Sequence, residues 1–89
     1  MEAIEYTYII VESYIPLERS GMHGQIHIRP IPGQDPYLPS MHVECSKELS
    51  YNYPLGTRFK LKAKITNKNG GSPFIYSHYS WPFDIIEIK

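Results

Sequence analysis

Four cations stand on alternate residues in one short segment of the chain: Arg58, Lys60, Lys62 and Lys64. On an extended strand, alternate residues share one face and lie about 6.6–6.8 Å apart. That separation is comparable with the distance between successive phosphates along one nucleic-acid strand. Side chains on which bases could stack or pack follow in the next segment: Tyr76, His78, Tyr79 and Trp81. The combination predicts a candidate surface for single-stranded nucleic acid.

The same alternation is also typical of an ordinary strand with one face in a core and the other in water. Lysine is common on such faces, and on an edge strand it discourages unwanted pairing. The segment from Gly56 to Gly71 carries a charge of +5, whereas the chain is neutral in sum. Because nucleic-acid-binding domains tend to be basic overall, we weigh a merely solvated face above nucleic-acid binding.

Charge separation offers a third interpretation, which is contact with another protein. Glu2, Glu5, Glu12 and Glu18 occupy the first eighteen residues without a base. The acidic first strand could offset the basic one through cross-strand pairs, or the two patches could steer association with a partner. Eight Tyr and one Trp exceed what so small a core can bury. The cluster 76–81 and the loop 51–53 are therefore candidate contact sites.

The residues that could do bond-making chemistry form a weaker pattern. His42 and Glu44 project from one strand face and, with His27, could share a metal if their strands pair. Exposed histidines on strand faces are the simpler interpretation. Cys45 falls on the inward face with Met41, away from a histidine base. We predict no catalytic residue, no metal and no cofactor, and hence no enzyme.

The elements that must position these residues are strands. Tyr and Pro are both frequent, with eight of each, which favours sheet and loop over helix. Period-two alternation predicts strands over 4–15, 23–29, 41–45, 58–66, 73–79 and 83–88. A single helical turn is expected within 46–52. Turns are predicted at 53–56, which reads YPLG, and at 67–71, which reads NKNGG.

Five or six short strands with two apolar faces favour closure into a barrel, which removes exposed edges. We predict one all-β domain over 1–89, a small antiparallel barrel of SH3-like or OB-like type, with a two-layer sandwich as second choice. A single cysteine, no long apolar run and no basic leader at the N-terminus lead us to expect a complete, soluble, cytoplasmic protein without a membrane partner.

The function predicted from these observations is a non-catalytic binding module. It acts through protein–protein contact, with a partner protein or with a second copy in a homo-oligomer. Single-stranded nucleic acid, bound by the basic strand face and by aromatic stacking, is the alternative.

Overall fold

A computed structural model describes residues 6–15, 26–67 and 71–88. Within these ranges the chain forms six strands and one helical turn, in this order: β1 (Thr7–Tyr14), β2 (His27–Pro30), β3 (Val43–Glu44), α1 (Glu48–Tyr51), β4 (Arg58–Thr66), β5 (Phe74–Tyr76) and β6 (Phe83–Glu87). The prediction of an all-β chain with one helical turn is confirmed. Within the same ranges, no helix is long and apolar enough to cross a membrane.

Strand β4 is the centre of the sheet. It pairs antiparallel with β1 along one edge, and with β6 and then β5 along the other. The strand order is β2-β1-β4-β5-β3, and β6 lies off this path against β4. The register sets Phe59 opposite Val11 on β1 and opposite Ile85 on β6. Because paired residues share a face, the apolar positions of three strands meet on one side.

The predicted closed antiparallel barrel is not what the structure forms. The described strands make one mixed sheet that stays open, since β3 and β5 run parallel, with Val43 opposite Ile75. The ends of the sheet, β2 and β3, approach to within 8 Å between Cα atoms without forming a ladder. The physical reason is local: Pro30 has no N–H to donate, and β3 is only two residues long. A second sheet, as a sandwich would need, is also not found in the described ranges.

The core lies on one face of the sheet and is built from aliphatic residues and one phenylalanine. Its buried members are Ile9, Val11, Ile28, Val43, Leu49, Phe59, Leu61, Ala63 and Ile75. Phe59 is fully buried and meets Tyr53 and Phe83 edge to face, at 5.2 and 5.5 Å between ring centroids. Burial of one such side chain stabilises a fold by about 1.5–3 kcal/mol, so β4 is held firmly by its inner face.

A turn over 54–57, one residue later than the turn predicted at 53–56, holds the start of β4. The Thr57 N–H donates to the Pro54 carbonyl at 3.1 Å, and Gly56 has a φ of +92°, as the third position of a type II turn requires. The Gly56 N–H also donates to Ser13 Oγ on β1 at 2.9 Å. These bonds tie the turn to β1 and so set the register of the central pair.

Most predicted strands were longer than the strands that form. The loop predicted at 67–71 falls mainly on residues 68–70, and the first part of the strand predicted at 23–29 falls on 23–25; both lie outside the described residues. The antiparallel pairing of β4 with β5, with Thr66 opposite Phe74, nevertheless agrees with the predicted hairpin.

Candidate functional site

The three lysines of β4 lie on the face of the sheet opposite the core. Phe59, Leu61 and Ala63 are buried, and Lys60, Lys62 and Lys64 alternate with them along the strand. Because β4 has neighbours on both edges, this row runs along the middle of the outer face. Its lysines therefore do not guard a free strand edge, which is one common reason for lysine on a strand.

The residues opposite the cations change along β4. Arg58 lies between two acids, Glu12 on β1 and Glu87 on β6. The next positions carry less negative charge: Lys60 lies between Ile10 and Asp84, Lys62 is opposite Tyr8, and Lys64 is opposite Tyr76. Cross-strand neighbours on one face interact most strongly, so one end of the row is acidic and the other is aromatic.

Each lysine ammonium lies over an aromatic ring. The distances from Nζ to the ring centroid are 5.4 Å for Lys60 and Tyr8, 5.3 Å for Lys62 and Trp81, and 5.3 Å for Lys64 and Tyr6. Such contacts contribute about 0.5–1 kcal/mol at exposed sites. In the part of the chain that the structure describes, none of the three ammonium groups has a carboxylate within 4.0 Å.

Rings from three parts of the chain meet beside Lys62 and Lys64. Trp81 contacts Tyr6 edge to face at 4.8 Å and lies 5.7 Å from the His78 ring. Tyr76 lies 6.2 Å from Trp81, and Tyr79 stacks on His78 at 4.6 Å. We call these five residues the aromatic cluster. Tyr79 is 74% exposed, so one ring of the cluster stays open to a stacking partner.

A tight turn at 78–81 brings the cluster together. The Trp81 N–H donates to the His78 carbonyl at 3.0 Å. The Ser80 N–H donates to His78 Nδ1 at 3.1 Å, and the Ser80 hydroxyl lies 2.8 Å from the same nitrogen. Pro82 follows and favours an extended Trp81. The turn thereby folds Trp81 back over β4 rather than away from it.

The basic–aromatic surface consists of the three lysines, Tyr8 and the aromatic cluster. It unites seven of the eight residues that the sequence singled out: Lys60, Lys62, Lys64, Tyr76, His78, Tyr79 and Trp81. It also includes Tyr6 and Tyr8, which sequence reasoning missed as site residues. Their alternation on the first strand was visible, but the register that sets them beside the lysines is a tertiary property.

Arg58, the eighth residue, has a different environment. Its guanidinium lies 3.8 Å from Glu12 and 3.9 Å from Glu87. Glu12 in turn accepts a hydrogen bond of 2.8 Å from Arg29 Nε. We call Glu12, Arg29, Arg58 and Glu87 the ion-paired end. Among the described residues, the predicted compensation of basic by acidic residues occurs at this end of β4.

The residues considered for metal binding lie along a separate groove. This groove, of about 620 Å³, runs along the open seam between β2 and β3, and His27, His42 and Glu44 are in its lining. His42 Nε2 is 3.9 Å from Glu44 Oε2. No group of three His, Cys, Asp or Glu side chains among the described residues has the arrangement of a metal site.

Cys45 is not placed for nucleophilic chemistry. It is partly buried against the core, and this burial raises the pKa of its thiol to about 11. The thiol is therefore protonated near neutral pH, whereas the thiolate is the nucleophile. Cys45 also borders a small cavity with Leu61, His78 and Trp81, directly beneath the aromatic cluster.

The second aromatic group from the sequence, Tyr51 and Tyr53, does not form one surface. Tyr51 is 74% exposed on α1, while Tyr53 packs on Phe59 in the core region.

When the chain was compared with protein-family models, with curated proteins and with solved structures, no significant match was found in any of the three comparisons.

Proposed function

We propose that this protein is a non-catalytic binding domain that holds single-stranded nucleic acid on its basic–aromatic surface. The observation that carries the proposal is the row of three lysines on β4, each over an aromatic ring and none paired with a carboxylate of the described residues. Phosphates would take the ammonium groups, and bases would stack on the exposed rings.

From the sequence alone, a merely solvated face was favoured over nucleic-acid binding, and the proposed function reverses that order. The solvated-face interpretation predicted that acids of the N-terminal segment would offset the cations. Of these acids the structure describes Glu12, which lies 3.8 Å from Arg58, whereas Glu2, Glu5 and Glu18 lie outside the described residues. The solvated-face interpretation also relied on the frequent use of lysine on edge strands, whereas β4 is an internal strand of the sheet. Cations combined with aromatic rings on a sheet face are an arrangement with which small β-domains bind single strands.

Neutral net charge limits the strength of binding but does not oppose it. The acids directly opposite β4 cations are Glu12, Glu87 and Asp84, at the Arg58 end. Glu44 is in the same row as Lys64 but lies two strands away, across Tyr76, which is about 9.6 Å. Over a Debye length of about 8 Å at physiological salt, a phosphate at Lys64 therefore feels mostly the nearby lysines. We expect modest affinity that falls as salt rises.

Trp81 is the only tryptophan of the chain and lies in the proposed site, so its fluorescence tests the proposal directly. A mixed-sequence single-stranded 12-mer is titrated at low and at near-physiological salt. Saturable quenching that weakens with salt is expected. An unchanged spectrum together with unchanged anisotropy of a labelled oligonucleotide at low salt, where electrostatic attraction is strongest, would overturn the proposal.

A different observation favours protein contact, in the form of self-association. Ile85 and Ile86 of strand β6, and Ile88 directly after it, are exposed, with 41%, 49% and 58% of their surface accessible. Within the described residues, β6 has a ladder partner on one edge only, which is β4. An apolar strand with a free edge is a template for pairing with another chain, and a second copy presents the same strand.

Light scattering during size-exclusion chromatography tests this second function. A mass that rises from monomer to dimer between low and high micromolar protein is expected, and Ile86→Lys on β6 should keep the protein monomeric. Leu38→Lys, at an exposed leucine in the loop before β3, is the control that should leave the dimer intact. A monomer at all concentrations would exclude self-association through β6.

A further inference from the structure

We infer that the basic–aromatic surface takes a short single-stranded tract, with three consecutive phosphates on Lys60, Lys62 and Lys64, and that the carboxylates around Arg58 end the tract. This inference rests on the proposed function and adds the length and the position of the bound strand. It assigns the site to short single-stranded segments, such as a loop or a strand end, rather than to continuous coating of long strands.

The spacing of the lysines defines the three phosphate positions. They occupy alternate residues of one regular strand, so their Cα atoms follow each other at about 6.6–6.8 Å. The β-bulge of the β4–β6 pairing falls between Arg58 and Phe59, outside this stretch. An extended strand of nucleic acid can therefore lie along β4 with one phosphate at each ammonium.

Carboxylates end the tract at the Arg58 position. A fourth phosphate would have to approach a guanidinium that already has Glu12 Oε1 at 3.8 Å and Glu87 Oε1 at 3.9 Å. Asp84, opposite Lys60, adds a third negative charge beside the path. Like charges at such short range repel each other, so the phosphate chain must leave the surface after Lys60.

Stacking favours the opposite end of the tract. The rings that remain open lie beside Lys62 and Lys64: Tyr8 is 61% exposed and Tyr79 is 74% exposed. Directly opposite Lys60 lie Ile10 and Asp84, so the ring that its ammonium reaches, at 5.4 Å, is that of Tyr8, which lies opposite Lys62. Bases therefore stack on Tyr8 and Tyr79, while the three lysines hold the phosphates.

A length series of labelled oligothymidylates, from two to twelve nucleotides, tests the footprint by anisotropy. Affinity should rise up to four nucleotides, which contain three internucleotide phosphates, and then grow only with the number of equivalent registers. The logarithm of the binding constant should fall with the logarithm of salt with a slope of about −2, from about 0.7 per phosphate for single strands.

Two results would overturn this inference and leave the proposed function standing: affinity that keeps rising steeply beyond eight nucleotides, or a salt slope steeper than about −4, which corresponds to roughly six phosphates. Absence of binding to the 12-mer at low salt would instead overturn the proposed function itself. The two failures are therefore distinguishable in one experiment.

Removal of the carboxylates that end the tract provides a second test. Asp84→Asn with Glu87→Gln should lengthen the footprint by one phosphate, steepen the salt slope by about 0.7 and raise affinity for the hexamer about threefold. Asp35→Asn with Glu48→Gln changes net charge equally at exposed residues outside the sheet. This control pair should leave the footprint, the salt slope and the affinity for the hexamer unchanged. Equal effects of the two pairs would show that net charge, rather than these carboxylates, sets the tract.

Discussion

The two ends of the outer face of β4 both carry basic residues, but the side chains that surround these residues differ. At the ion-paired end, Arg58 has two carboxylates within 4 Å. At the other end, Lys62 and Lys64 have rings, at 5.3 Å from each ammonium. Rings alone do not distinguish the ends, because Arg29 also lies 4.1 Å from the centroid of Tyr14.

What distinguishes the ends is therefore the carboxylate. A cation with a carboxylate partner is partly satisfied within the fold, and a phosphate would have to displace or tolerate that partner. A cation over a ring keeps its charge available, because a ring attracts it only weakly. The role of a charged residue on this strand depends on the neighbouring strands and not on the alternation of β4 itself.

Charge reversal at the aromatic end should give the largest effect. Lys62→Glu with Lys64→Glu converts two phosphate contacts into two repulsions, so we expect affinity for the 12-mer to fall by about 100-fold or more at low salt. Anisotropy of a labelled oligonucleotide measures this without relying on Trp81, whose surroundings the change alters. Lys47→Glu, at an exposed lysine outside β4, should cost far less; equal losses would mean that binding follows net charge alone.

Loss of one stacking ring should have the next largest effect. Tyr79→Ala is expected to weaken binding about tenfold, which corresponds to roughly 1.4 kcal/mol and lies within the range for one stacked base. Its thermal midpoint should hardly change, because the ring is 74% exposed. Tyr51→Ala, at an equally exposed ring on α1, is the matched control, and an equal loss there would remove Tyr79 from the site.

The thiol of Cys45 can report whether the aromatic cluster is closed. With a pKa of about 11, only about one thiol in a thousand is ionised at pH 8, so modification by a disulfide reagent should be slow. The rate should rise roughly tenfold per pH unit up to the pKa. The raised pKa also means that the native state loses stability relative to the unfolded chain as pH climbs from about 8.5 towards 11.

Trp81→Ala removes one wall of the cavity beside Cys45 and should accelerate that modification several-fold at pH 8. Tyr51→Ala, at an exposed ring on α1, should leave the rate unchanged. Acceleration by both variants would indicate general loosening of the fold and not an opening of the aromatic end.

The smallest effect on binding is expected at Arg58. Arg58→Gln should reduce affinity by less than about threefold, yet it leaves Glu12, whose side chain is only 17% exposed, with Arg29 as its remaining cation. We therefore expect a loss of about 0.5–1 kcal/mol in unfolding free energy, as for partly exposed ion pairs, measured in urea. Lys62→Gln should instead reduce affinity more than Arg58→Gln does and leave the unfolding free energy nearly unchanged. If the two variants changed affinity and unfolding free energy alike, the two ends of β4 would not differ in role.

Sequence reasoning was most accurate where local pattern decides structure. The alternation of Phe59, Leu61 and Ala63 with the lysines predicted the strand and its two faces, because period two is a property of any extended chain. A turn was predicted at 53–56 from Pro54 and Gly56 for an equally local reason, since glycine adopts a positive φ at little cost; the turn that forms spans 54–57.

Sequence reasoning was wrong where distant segments decide. It did not place Tyr6 and Tyr8 beside the basic strand, although the ammonium groups of Lys64 and Lys60 lie over their rings. It also predicted an antiparallel, closed sheet, whereas β3 joins β5 in parallel. One strand contact, the Gln34 amide bonded to both the N–H and the carbonyl of Ile10 at 2.8 Å, shows a loop side chain serving as a pairing partner that no local pattern reveals.

Composition and periodicity thus determined by themselves that this chain is a small all-β domain with a basic strand and a nearby aromatic segment. Tertiary structure alone decided which cations meet acids and which meet rings. The physical reason is that strand faces follow from bonds between adjacent residues, whereas register follows from cooperative packing of residues far apart in the chain. A shift of one residue in the β1–β4 pairing would move Tyr8 and Glu12 to the other face of the sheet. Both the ring contact of Lys60 and the Glu12 contact of Arg58 would then be lost.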